Sequence, residues 1–583
     1  MRLLATTILV FLLFCTAVSV LSLNASSAPV SFPGFGSINY EFGDYTVLKD
    51  GTVFKAINSE TGATFSHEDS WVTINYAINA ISSGTVYVQS GTYPIGRDAV
   101  IAKDVSWVSA EASVSINNGV SGQEGVATQI NIPYPAPTGL IAYYNFPTPV
   151  DLSSAYCLGF WFKPSTALSS RDATGDFGGS PLKFLIDNTP NCASPTYSVE
   201  IWHGEWISAT WKYYKIPGTP PAGKSLPSGL TNIQSIGIEV WSNPNCITPS
   251  TSYNIMIDDI HANEGFIRTH SNIKLIGAGA NTTIMRLGDH ANIPMMFLEG
   301  SNVEIAGLQL DGNFDNQDTI DQCLGIYNPS GGSGSKIHHN YIHHVKGDGI
   351  KLRGSNIEVY ENLVEWTENP NIGLSYYPNS IHIHHNTLRY AINDDNIWIK
   401  EANDITIEYN ELYGVTSQIL SSGDPSVPII WRNRNPSEWN GIRMQQTYGN
   451  LIQYNKVYDA PAASIVIGGD DHDSEIRYNQ LYRGSSHSGN QLRVMTWVGS
   501  ATRIKVIGNK VVDGFNRGID IGGTSNTIID NWTEGNKGGG IFIAGSDHTG
   551  SGNYPEETTN DAPASFISST PPSLPTFQAG ITW

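Results

Sequence analysis

From residue 337 onward the sequence repeats one short phrase: IHHNYI, VYENLV, IHHNTL, IEYNEL, IQYNKV, IRYNQL, VIGNKV and IIDNWT. Its asparagines are Asn340, Asn362, Asn386, Asn410, Asn455, Asn479, Asn509 and Asn531, with gaps of 22, 24, 24, 45, 24, 30 and 22 residues. The gap of 45 is about two periods, or one period with a long excursion. A second phrase alternates strictly: GIKLRG (349–354), NIWIKE (396–401), GIRMQQ (441–446), SIVIGG (464–469), GIDIGG (518–523) and GIFIAG (540–545). Its second and fourth residues are always Ile, Leu or Met, the pattern of a strand with one buried face. So short a unit cannot bury its apolar face alone, so successive units must stack as coils around a shared core. A recurring inward Asn can bond to backbone and to the same Asn one coil away, forming a ladder. The fold class is therefore all-β.

Composition agrees. Only 15% of the 583 residues are charged, 40% are hydrophobic and 58 are glycine. That excludes an extensively disordered chain and a coiled-coil one. A formal charge of −21 lacks the basic footprint of a general nucleic-acid binder.

These residues resemble the right-handed parallel β-helix of the pectate-lyase-like superfamily, in which an asparagine ladder marks one turn; the resemblance covers roughly residues 264–547. Residues 23–104 fit the start of such a protein. Trp71, Ile74, Ala77, Ile78 and Ile81 are spaced for an amphipathic cap helix after Asp69 and Ser70, and GTVYVQSGTY alternates like a first strand. Residues 105–263 break the period with longer strands divided by Pro, Gly and Ser turns, as in an inserted β-sandwich. Its closing YNIMIDDI resembles the last strand of jelly-roll carbohydrate-binding modules. Glycan binding there would use Trp161, Trp202, Trp206, Trp211 or Trp241, although most of these are expected in the core. Asp187, Asp258 and Asp259 are candidates for a structural Ca²⁺, the one cofactor expected. Residues 548–583 are rich in Pro, Ser and Thr and read as a covering or disordered tail.

Residues 1–22 have a basic start, an apolar run and a small-residue exit, as in a secretory signal peptide, with an uncleaved anchor as the alternative. Export permits disulfides. Cys192 and Cys246, in similar loops, are the candidate pair; the alternative is that Cys157, Cys192, Cys246 and Cys323 are all unpaired. A secreted or cell-surface monomer is expected, free of membrane after cleavage.

Stacking turns the second phrase into columns. One outward face gathers Lys351, Arg353, Lys400 and Arg443 around Trp398, with Gly373 and Ser375 leaving a gap. A basic cluster beside an aromatic face on an acidic chain suggests an acidic sugar. Asp348, Asp394, Asp395 and Glu401 flank it as candidate acids or metal ligands. The leading reading is a lyase on a uronic-acid glycan. Lys400, Arg443, Lys351, Asp395 and His472 are its catalytic candidates, and Arg353, Trp398, Trp431, Arg434, Trp439, Asp470 and Asp473 its substrate contacts. The bland alternative ties each cation to an acid one coil away. Asp470–Asp473 (DDHD) resembles the Asp-Pro-His-Asp motif of mannuronan C5-epimerases, with Asp471 in place of proline, which makes epimerisation an alternative. Hydrolysis by Asp395 with Glu438 or Asp473 is another, and a non-catalytic glycan-binding surface or envelope protein the competing class. His339, Glu361 and His385, each preceding a ladder Asn, form a possible metal column. The excursion at 415–440, with Trp431, Arg432, Arg434, Glu438 and Trp439, could wall the cleft or simply cover an edge.

Overall fold

The computed structural model describes residues 43–575 except 167, 169–179, 202–209, 217–225, 228, 242–248, 320–322, 330–331, 437–438, 487–488 and 496–499. The chain divides into two units; every described residue belongs to Ser37–Phe577, and the other unit, Met1–Gly36 with Gln578–Trp583, lies outside them.

The stacked coils form three sheets. Strands before the ladder asparagine, such as Lys336–His338, Glu358–Tyr360 and His382–His384, build sheet 1, of 15 strands. Strands after it, such as Tyr341–Val345 and Leu363–Thr367, build sheet 2, of 12. The alternating phrase builds sheet 3, of 11. Coil-to-coil pairing is parallel and in register: Ile350, Ile372, Ile397, Ile442 and Ile465 are successive partners in sheet 3, each wholly buried. Each such side chain contributes about 1.5–3 kcal/mol of burial. The ladder runs as predicted, each amide donating to the next Asn Oδ1 at 2.9–3.1 Å from Asn340 onward.

The helix departs from the sequence reading at both ends and within sheet 3. The ladder extends to Asn553, Thr549–Ser551 and Tyr554–Pro555 join sheets 1 and 2, and Phe566 packs on the last coil, so the tail begins with part of a coil. Its Gly and Ser conceal the alternation. At the other end, Tyr45–Asp50, Val53–Asn58 and Thr64–His67 extend sheet 1 by antiparallel pairing before the cap helix Ser70–Asn79. In sheet 3, Leu492–Val494 is a further coil, placing Arg493 between Val466 and Asp520.

The insertion is two antiparallel sheets around a second core in which Phe160, Ile255 and Ile257 face Phe184, Ile236 and Ile238. It starts earlier than expected, because Arg97–Ala102 pairs with Tyr253–Glu264.

A candidate active site on the outer face of sheet 3

On the outer side of sheet 3 the register order is Tyr327, Lys351, Gly373, Trp398, Arg443, Val466, Arg493, Asp520 and Phe542, with Tyr327, Gly373, Val466 and Phe542 buried; Tyr327 and Arg493 are the two members that periodicity did not supply. Neighbouring coils stand ~4.8 Å apart. Gly373 is essential to the shape. A Cβ there would lie 2.8 Å from Asp348 Oδ2, so the missing side chain lets that carboxylate lean across the next coil.

The cations of the strip are not free charges. Lys351 Nζ lies 3.0 Å from Asp348 Oδ2, Arg443 reaches Asp395 Oδ2 at 3.8 Å, and Lys400 faces Glu401 at 3.9 Å. Arg353 is buried, its guanidinium 5.5 Å from the Tyr327 ring and 4.2 Å from the Tyr376 ring. The local charge is therefore closer to neutral than the column of Lys and Arg implies.

The chemistry gathers instead at the acids. Asp395 is wholly buried; its Oδ1 accepts from the backbone N–H and Nδ2 of Asn440 at 2.7 and 2.8 Å, while its Oδ2, facing Arg443, has no hydrogen-bond donor. Burial raises its pKa, and Arg443 and Asn440 only partly offset the rise. Asp394 accepts the Asp395 N–H at 2.8 Å, and burial together with the Asp395 charge pushes its pKa up to about 8. Burial and a neighbouring like charge both disfavour its ionised form. Asp348 adds to that rise, placing a third carboxylate within electrostatic reach, and accepts from Asn369 Nδ2 at 3.2 Å.

The excursion meets this site only at its end. Ser417–Leu420 and Ile429–Trp431 fold back along the turns after sheet 2, where Val415, Leu420, Val427 and Trp431 pack on Phe314, Trp366 and Ile392. Trp431 is thus a packing residue and offers no free ring to a sugar. Asn440 holds Asp395, and Arg434 lies near enough to Glu368 to oppose the rise that burial gives that carboxyl. Trp439 is half-buried beside Asn440, and Glu438 lies outside the described residues. The sequence reading missed Tyr376 and Tyr377, 43% and 72% exposed in the turn that ends the Gly373 strand. The YYP that follows that strand was the available signal.

Asp470–Asp473 lies in the turn between sheets 3 and 1, not on the sheet 3 face. Asp471 is buried, accepts from the N–H and Oγ1 of Thr447 at 2.7 and 2.6 Å, and has its pKa raised by burial to about 7. His472 stacks on Tyr448 and contacts Asp473 Oδ2 at 2.8 Å; Asp473 binds Arg503 at 2.6 and 2.7 Å, which holds its carboxyl far below the ordinary range. His472 and Asp473 thus sit in a coil-to-coil clamp, with Asp470 exposed beside them.

Of the predicted metal column, His339 meets Glu361 at 2.9 Å, but His385 stacks on Tyr409. Asp187 is also separate from the other calcium candidates: Thr189 and Ser194 satisfy its carboxylate. Asp259 converges instead with Glu124 and His261, one ligand atom of each within 4.8 Å of the others. Asp258 Oδ1, Asp259 Oδ1 and His261 Nε2 are all buried without a hydrogen-bond partner, a donor set that fits a divalent cation. Cys246 lies outside the described residues, and with it the pairing to Cys192. So do Trp202 and Trp206. Trp161, half-buried, donates to Glu124 at 2.8 Å; Trp241 donates to the Ser180 carbonyl at 2.7 Å beneath Lys183, and Trp211 lies beside Lys163.

Among solved structures, the chain is similar to the catalytic unit of a thermostable GH87 alpha-1,3-glucanase from Streptomyces thermodiastaticus (11% identity, 80% of this chain and 99% of that one, TM-score 0.29). It is also similar to the A-module of a mannuronan C-5 epimerase of Azotobacter vinelandii (13%, 53% and 86%, TM-score 0.33) and to the Dettilon tailspike protein (13%, 48% and 52%, TM-score 0.33). No curated protein sequence matches the chain. Residues 372–559 match the family model described as the right handed beta helix region. With three parallel sheets joined coil by coil around one core, the chain is a right-handed parallel β-helix protein.

Proposed function

We propose that the protein is a polysaccharide-active enzyme whose substrate lies along sheet 3, with Asp394 donating the proton that releases the leaving sugar oxygen. The observation that carries this is the adjoining, largely buried carboxyl pair Asp394 and Asp395 at the start of the Trp398 strand, with the Asp394 pKa raised by burial and by the neighbouring charge, beside the gap at Gly373. Protonation of the glycosidic oxygen lowers the barrier to its departure. Asp348, which lies over Gly373 and is balanced by Lys351, would act as the base that activates water. Asp348 and Asp394 are two coils apart along the stack, ~9.6 Å by backbone at ~4.8 Å per coil. Asp395 and Arg443 position Asp394, and Trp398 and Tyr376 offer faces for stacking.

Hydrolysis is favoured over β-elimination because the cations a lyase would use as base, Lys351 and Arg443, lie against buried acids. Lys400, the more exposed cation, keeps a lyase on a uronic-acid glycan as the second reading. Incubating the protein with neutral and uronic-acid polysaccharides tests both. New reducing ends without ultraviolet-absorbing unsaturated ends support hydrolysis; unsaturated ends support the lyase. Absence of both across the panel overturns the enzymatic reading. Export, proposed from residues 1–22, would deliver the enzyme to such substrates outside the cell. A divalent cation held by Glu124, Asp259 and His261 would serve the stability of the sandwich.

A further inference from the structure

Sheet 1 carries on its outer face a donor set that the reaction at sheet 3 does not use. In His382–His384 the central Ile383 is buried, so both histidines project outward from one strand. Glu358 is the register partner of His382 on the preceding coil, and Glu408 the partner of His384 on the following one. One ligand atom each from Glu358, His382 and His384 lies within 4.8 Å of the others. His384 Nε2 stands 3.1 Å from Glu358 Oε1, His382 Nε2 stands 2.9 Å from Glu408 Oε1, and the two rings are 4.1 Å apart.

The ring orientation is fixed from behind. His384 Nδ1 faces His385 Nδ1 at 2.8 Å, and Tyr360 stacks on the His384 ring at 5.1 Å with an interplanar angle of 3°. That engages Nδ1 and leaves Nε2 toward the Glu358 carboxylate, as outer-shell contacts orient a metal-binding imidazole. Ligands around a tetrahedral ion at ~2.0–2.1 Å stand ~3.3 Å from one another, so the separations here need only small side-chain rotations. Two imidazoles with carboxylates suit zinc, copper or nickel better than calcium or magnesium, which take oxygen-only shells. All of these groups are partly accessible, so an ion could enter from solvent.

We propose that Glu358, His382 and His384, with Glu408 as a fourth donor, bind a divalent transition metal of the zinc class and pin three consecutive coils together. Lys336, 3.2 Å from Glu358 Oε2, would remain beside the second carboxylate oxygen. The test uses the full chain, stripped by chelator and titrated with Zn²⁺ by calorimetry and with Co²⁺ by visible absorption. Expected are one saturable ion, besides any held in the sandwich, that is weakened at least tenfold by His384→Ala and by His382→Ala, and the intense visible bands of tetrahedral cobalt. Glu124→Gln should leave that ion bound, which separates it from a cation in the sandwich. The conservative His384→Gln covers the case in which the alanine variant folds poorly. Absence of saturable Zn²⁺ binding, or binding unchanged in the double His382→Ala/His384→Ala variant, overturns the proposal.

Discussion

At the scale of single residues, environment outweighs identity. Asp394 and Asp395 are neighbours of one chemical type, yet Asn440 and Arg443 partly offset the effect of burial at Asp395, whereas at Asp394 the Asp395 charge adds to it. Asp394→Asn should lower kcat by ~10²–10⁴, the usual share of a general acid, with an unchanged circular dichroism spectrum. Activity should fall as pH rises through the raised Asp394 pKa, and that alkaline limb should vanish in the variant. Linkage has the same sign. A carboxyl with a folded pKa above its unfolded one favours folding at low pH, and that contribution is lost as pH rises from about 4 to about 8. The Asp394→Asn protein should therefore lose less stability over that window in denaturant titrations. Gly373→Ala probes the gap. Its Cβ would displace the Asp348 carboxylate, so kcat should drop while the melting temperature moves little.

At the scale of elements, the ladder and the excursion divide stability from function. Each ladder Asn serves two neighbours, so Asn410→Ala strands buried groups above and below it and should cost ~1–3 kcal/mol. Urea unfolding would read that loss. Trp431→Ala removes the anchor of the 415–440 segment; a buried Trp lost to Ala costs ~3–5 kcal/mol, felt locally as faster proteolysis within the segment. In the sandwich, chelation should lower the melting temperature if a cation joins Glu124, Asp259 and His261, and Asp259→Asn should abolish that difference. The repeats made the strands and the ladder legible, because alternation and the Asn period are local patterns. The last coil escaped notice because Gly550 and Ser551 replace its aliphatic residues. The Arg493 coil escaped because its phrase lacks the Gly-Ile opening of most copies.

At the scale of the whole molecule, stacking determines which distant residues meet. It places Gly373 between Lys351 and Trp398, and delivers Asn440 from beyond a long excursion to Asp395. The sequence by itself determined the all-β repeat, the inward asparagines, the cap helix and the outward column, since each follows from periodicity along the chain. Only the tertiary structure decided how the charges pair. It joined Lys351 to Asp348 and Arg443 to Asp395, turned Trp431 into packing, and split the predicted histidine column in favour of Glu358, His382 and His384. The physical reason is that a coil period specifies which residues share a column, whereas side-chain direction and burial decide which of them neutralise one another.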